Sequence, residues 1–212
     1  MQTFDVLQID GEQDLLLHVD KTNCPRYGAA QDLSKKSEQY SKVEDYFVSN
    51  YKSSLEELTG TKISSPKEMV DICGYLQWAE LANLTLKFTP KPSDDAYCLA
   101  YGDSKLYSVS YGIPDLWKLG SYEFLNKLLN VSSSLKAGKK DLPKFIHYAA
   151  HAETLAVFFD GLAIHRPTRS FPASAMMIEF VRNTSNNALG VKLIYYNGEN
   201  RTESVLRIPG QT

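Results

Sequence analysis

The hydrophobic period of the chain changes once within a short stretch, Lys144 to Leu162. Phe145, Ile146 and Tyr148 read as a short buried strand, and Ala149-Ala150-His151 as the loop that leaves it. From Glu153 onward Leu155, Phe158, Phe159 and Leu162 fall at i, i+3, i+4 and i+7, the spacing of an amphipathic helix. A strand that ends in a small-residue loop and opens a helix aims N–H groups and a positive dipole end at one point, where an anion can sit.

Further upstream, Phe4, Val6, Leu7 and Ile9 read as strand, with a turn at Gly11 and a second apolar run from Leu15 to Val19. Residues 21–30 hold Pro25 and Gly28 and read as loop. A long helix is expected over 32–58, with Val43, Phe47, Tyr51, Leu55 and Leu58 as its stripe and Gly60 as its stop. Ser65-Pro66-Lys67-Glu68 announces the next helix: a capping serine, proline at the first helical position, glutamate three residues on. Met69, Ile72, Leu76 and Ala79 or Leu81 form its expected buried face, and Trp78 is expected in the core.

Residues 89–112, rich in proline, glycine and tyrosine, take no clear assignment. Pro114 opens a helix through Leu129, residues 132–141 form a polar connector, and His165 to Arg169 form a loop. Strands are expected over 173–181, 191–196 and 205–208, separated by a turn cluster at 183–190 and by the turn dipeptide Asn197-Gly198. Strands, a helical block, a strand–helix unit and a β-meander in that order predict an α/β core with a helical insertion. The expected division is 1–30 as core strands, 31–130 as a helical cap and 131–212 as the rest of the core.

Composition narrows the function classes. The chain of 212 residues is 43% hydrophobic and 23% charged with a net charge of −2, enough for one good core. No block of Lys or Arg stands out, so nucleic acid is disfavoured as a partner. No apolar run approaches the roughly 18 residues of a membrane span. The first residues have neither the cationic start and apolar run of a signal peptide nor the Arg-rich character of a transit peptide. Cys24, Cys73 and Cys98 are odd in number and lack CxxC spacing, fitting neither a disulfide framework nor a zinc site. Asn83, Asn130, Asn183 and Asn200 each begin an Asn-x-Ser/Thr sequon, which carries weight only in a secreted chain.

Candidate chemistry centres on His151 and Glu153, a cation-capable donor beside a proton carrier. Taken alone, the stretch is as readily a core histidine followed by an acid that favours the helix start, and that plainer reading is the commoner one. His18, among apolar neighbours, reads as structural. Motifs for serine hydrolases, P-loops, dinucleotide binding and zinc are absent from the sequence, and no cofactor is called for.

Read together, six segments in order resemble a histidine acid phosphatase of the second clade of that superfamily. They are Asp14-Leu15-Leu16; Cys24-Pro25-Arg26-Tyr27; the leucine-rich helix Leu119 to Leu129; Ile146 leading to His151-Ala152-Glu153-Thr154; Phe171-Pro172-Ala173-Ser174 with Glu179; and Tyr195-Tyr196-Asn197 followed by Ile208-Pro209-Gly210. The His-Ala-Glu form is most similar to the multiple inositol polyphosphate phosphatases. The resemblance implies a phosphoglycerate-mutase-like three-layer core, His151 as the histidine that contacts phosphate, and Glu153 as the acid that protonates the leaving oxygen. The loop of His165, Arg166 and Arg169 then becomes a possible contact for an anionic phosphate ester.

The family's nucleophile lies in an Arg-His-Gly-x-Arg-x-Pro motif. Here no arginine precedes Arg26 and no histidine is followed by glycine. The resemblance therefore implies a phosphatase site without its nucleophilic half: inactive alone, dependent on another protein chain or on a missing N-terminal half, or else kept as an accessory subunit. Two positions where the family has cysteine are Ala175 and Gln211. Their loss suggests a reducing compartment, against the weaker pull of the sequons.

Overall fold

In the computed structural model the described residues are 6–10, 12–18, 24–86, 110–164 and 170–210. They combine helices with one small antiparallel sheet, α/β in the general sense. The chain divides into two compact units. One holds the described residues of Met1–Ala30, Pro114–Arg166 and Ser170–Thr212, and the other those of Gln31–Ile113.

The second unit is helical. Helix α1 (Pro25–Lys35) begins where a loop was expected. The proline that suggested a loop stands at the first helical position, where its missing N–H costs nothing. The expected helix over 32–58 is interrupted at Lys36-Ser37. Ser37 then caps α2 (Glu38–Phe47), its hydroxyl accepting from the Tyr40 N–H at 3.1 Å. From there the chain stays helical through a π turn, Val48–Lys52, and α3 (Ser53–Thr59). Gly60 ends it as expected, at φ +67 with its N–H on the Glu56 carbonyl. Phe47 and Leu55 are buried with Ile63, Met69 and Cys73, and Val43, Tyr51 and Leu58 pack around them.

Helix α4 (Pro66–Leu81) starts at Ser65, whose hydroxyl accepts from the Glu68 N–H at 3.3 Å. The Glu68 carboxylate reaches back to Ser64, accepting from its N–H at 2.6 Å and from its hydroxyl. Met69, Leu76 and Ala79 are buried, as their spacing predicts. Trp78 is not in the core: it is 55% exposed. At 3.6 residues per turn it stands about 180° around the helix from Met69, so the stripe that buries one excludes the other. Cys73 is disulfide-bonded and Cys24 carries a free thiol, so the expectation of no disulfide is corrected.

The hydrogen bonds from Ser64, backbone first and then hydroxyl, hold Glu68 below the usual glutamate range. A depressed carboxyl contributes stability that is present above its unfolded value, 4.5, and lost as pH falls through the lower folded value. Glu68→Gln is expected to shrink the loss of stability on acidification below that point. Thermal melts of both proteins across the acid range test this; equal acid losses would show that Glu68 caps nothing in solution.

The first unit carries α5 (Pro114–Lys136) and α6 (Ala152–Gly161) with strands β1 (Ala175–Arg182), β2 (Leu189–Asn197) and β3 (Thr202–Leu206). Helix α5 runs past Leu129 to Lys136, so residues 132–136 are helix rather than connector. Ser132 to Ser134 are poor helix formers but lie on an established helix, where each added residue gains a hydrogen bond without nucleation. The strands form a meander in the order β1-β2-β3, antiparallel throughout, with Met177 opposite Ile194 and Ile194 opposite Val205. Phe159 of α6 sits on this sheet with Ile164, Leu193 and Tyr195 in one buried cluster, flanked by Leu155, Leu162, Met176 and Ile178.

The α5–α6 contact is close because both sides are small. A Cβ on Gly161 would lie 2.5 Å from the Ser121 hydroxyl oxygen, and one on Gly120 would lie 3.2 Å from Val157. Gly198 is held more tightly still, against backbone: a Cβ there would overlap the Pro172 carbonyl oxygen and crowd the Ser174 nitrogen. Its N–H donates to the Ser174 hydroxyl at 3.0 Å. Gly198→Ala is expected to cost about 2–3 kcal/mol, read from the denaturant midpoint. A loss within experimental error would mean that the β2–β3 turn does not pack on residues 172–174.

Two expected strands are not formed. Residues 145–148 lie outside regular structure, with Phe145 82% exposed and Ile146 47% exposed. Residues 6–9 are likewise irregular, with Val6 and Leu7 exposed. Apolar alternation favours a strand only where a ladder exists to pair with, and β1, β2 and β3 pair with one another alone among the described residues. The run from Leu15 also turns rather than extends: the Asp14 carboxylate accepts from the Leu16 and Leu17 N–H groups, each at 3.0 Å.

Candidate functional site

His151 is the N-cap of α6, in extended conformation at φ −118 and ψ 170, and its side chain is exposed. Extended backbone is the usual conformation of a capping residue, and the helix begins at Ala152. Glu153 then falls in the first turn and is part-buried. An acid there is favoured by the dipole, and the N–H groups of the turn have no carbonyl partner within the helix. Thr154 locks the arrangement. Its hydroxyl oxygen accepts from the His151 N–H at 3.3 Å and donates to the Leu17 carbonyl at 2.8 Å.

That second bond spans 137 residues and draws the N-terminal turn of Asp14 to His18 onto the start of α6. As a result His18 meets His151, their ring centroids 4.2 Å apart and the rings tilted by 58°. His18, read from the sequence as structural, therefore belongs to the candidate site. Nothing local announces this, because the contact is made by distant segments. Thr154 was legible in principle: a hydroxyl three residues after a helix cap is half of a capping box. Tyr148 borders the approach, edge-on to Phe124 at 5.3 Å, and Phe124 in turn meets Phe158.

The cluster of His18, His151, Glu153 and Thr154 can offer imidazole donors to an anion and a carboxyl that gives or takes a proton. Arg166 and Arg169, with His165, lie outside the described residues, and His147 is exposed. Arg26 lines a separate open cavity of about 330 Å³ with Leu15, Cys24, Asp115, Lys118 and Glu123. None of the four cluster residues lines it. Among the described residues no three histidine, cysteine or acidic side chains gather as a metal centre would require, and no helix is long and apolar enough to cross a membrane.

No protein-family model and no curated protein matches the chain.

Proposed function

We propose that the chain is a histidine acid phosphatase-like protein that supplies the phosphate-contacting histidine, His151, and the general acid, Glu153, of a phosphomonoesterase site. The observation that carries this reading is local. The His-Ala-Glu segment stands at the N-terminus of a ten-residue helix, with the histidine exposed as its cap and the acid in its first turn. A phosphate oxygen near such a helix end meets N–H groups, the positive dipole end and an imidazole together. The Glu153 carboxyl, two residues after the cap, supports the role of proton donor to a leaving oxygen.

The core this reading implies is a partial phosphoglycerate-mutase-like one, with β1 to β3 and α6 at its C-terminal side. The nucleophile comes from elsewhere, because the sequence has no Arg-His-Gly-x-Arg-x-Pro segment. It resides on a partner chain or on an N-terminal half joined to this one. Two exposed stretches with strand-like apolar patterns, at Val6 to Ile9 and at Phe145-Ile146, support such a partner. Strand-like segments left unpaired and apolar surface left uncovered are both costs that a second chain would relieve.

The experiment is phosphomonoester hydrolysis by the pure chain and by the chain mixed with a polypeptide bearing the missing motif. The expected result is no turnover alone and turnover in the mixture. Turnover by the pure chain, lost in Glu153→Ala, would overturn the dependence on a partner. A second reading, a catalytically inactive accessory subunit, rests on the same exposed stretches and the missing motif. It predicts a stable complex that hydrolyses nothing and binds inorganic phosphate equally well with and without His151→Ala.

A further inference from the structure

We propose that the chain is an N-linked glycoprotein, modified at Asn183 and Asn200, the two sequon asparagines in the turns of the β-meander. Four sequons begin at Asn83, Asn130, Asn183 and Asn200, and all four asparagines are exposed. Exposure alone decides little, because asparagine is mostly a surface residue. The independent observation is the disulfide at Cys73. Disulfides form and persist in oxidising compartments and are rare where thiols are kept reduced. The sequon acts as an acceptor in a secreted chain, and a disulfide is what that setting permits. It outweighs the absence of cysteine at Ala175 and Gln211, since losing some half-cystines is compatible with keeping another bond.

Asn183 and Asn200 stand apart from the other two by local geometry. Asn183 opens the connection between β1 and β2, and its side-chain oxygen accepts from the Ser185 N–H at 2.8 Å. Asn200 lies between β2 and β3, and its side-chain oxygen accepts from the Thr202 N–H at 3.1 Å and from the Thr202 hydroxyl. In each case the turn ties the asparagine oxygen to the hydroxyl residue two positions on. The amide nitrogen is left as the group available to react. Asn130 lies instead within helix α5, and Asn83 follows the end of α4 at φ +52 without a bond to Thr85 among the described residues. The two turns lie at opposite ends of β2.

The transfer uses a lipid-pyrophosphate-linked oligosaccharide as co-reactant. The asparagine amide nitrogen attacks C1 of the first sugar, forming the N–C1 bond and giving up one proton. The C1–O bond to the pyrophosphate breaks, and the lipid pyrophosphate leaves with that electron pair.

The test is peptide mass spectrometry of the chain from its native source, after an amidase that cleaves N-glycans has been applied in ¹⁸O-water. Occupied asparagines then appear as ¹⁸O-labelled aspartates. Label at residue 183, residue 200 or both is the expected result. Unlabelled asparagine at both positions overturns the proposal, whether or not Asn83 or Asn130 is labelled.

Discussion

Replacing Phe159 with alanine is expected to lower the stability of the unit carrying the candidate site by about 3–5 kcal/mol. Phe159 is 1% exposed and its ring meets Tyr195 edge-on, centroids 5.4 Å apart. It lies in the buried cluster with Leu193 and Tyr195 of the sheet, and Leu155 of the same helix packs against that cluster. Truncation removes the transfer energy of a whole ring and leaves a cavity between a helix and a strand. Neither element can close that gap freely, because α6 is held on its other side by the small-residue contact with α5. Denaturant unfolding checks this, and the midpoint should fall with the slope unchanged. Phe145→Ala, at an 82% exposed position, is the matched control and should stay within about 0.5 kcal/mol. Comparable losses at the two sites would mean that α6 does not seat on the sheet as described. The site would then suffer too, since seating α6 is what fixes His151 and Glu153.

The second large effect concerns chemistry and rests on the proposed phosphatase reading. In the active mixture, Glu153→Gln is expected to reduce kcat/KM by about 10²–10⁴-fold, the range for losing a positioned general acid. The substitution keeps the shape and the hydrogen-bonding ends of the side chain at the helix start while removing the transferable proton. Its size should depend on the leaving group. An alkyl alcohol needs a proton as its bond to phosphorus breaks, whereas a nitrophenolate leaves well as an anion. The loss should therefore be large for alkyl phosphates and small for nitrophenyl phosphate. An equal loss across leaving groups would assign Glu153 to positioning and remove it as the acid. His151→Ala should act differently, weakening phosphate binding with the leaving-group trend preserved.

Much of the local structure was legible because its causes are local. The Ser65-Pro66-Lys67-Glu68 start of α4, the stop at Gly60 and the stripe of Leu155, Phe158 and Phe159 each follow from groups within a turn or two. The β-meander was legible for the same reason: alternation between strands and turn-forming residues sets each hairpin by itself. His151 and Glu153 were placed at a helix start from spacing alone, and they stand there.

Tertiary structure decided what depends on distant partners. Phe145 to Tyr148 and Val6 to Ile9 carry strand patterns that nothing among the described residues pairs with, and a strand needs a neighbour to supply its hydrogen bonds. Trp78 was expected in the core of its helix, yet the face that Met69 and Leu76 bury turned it outward. His18 looked like packing and became part of the site, because the Thr154 hydroxyl bridges to Leu17 across 137 residues. Periodicity and caps are written along the chain within a few residues. Which side chains finally touch depends on long-range closure, and no window of the sequence contains both ends of that contact.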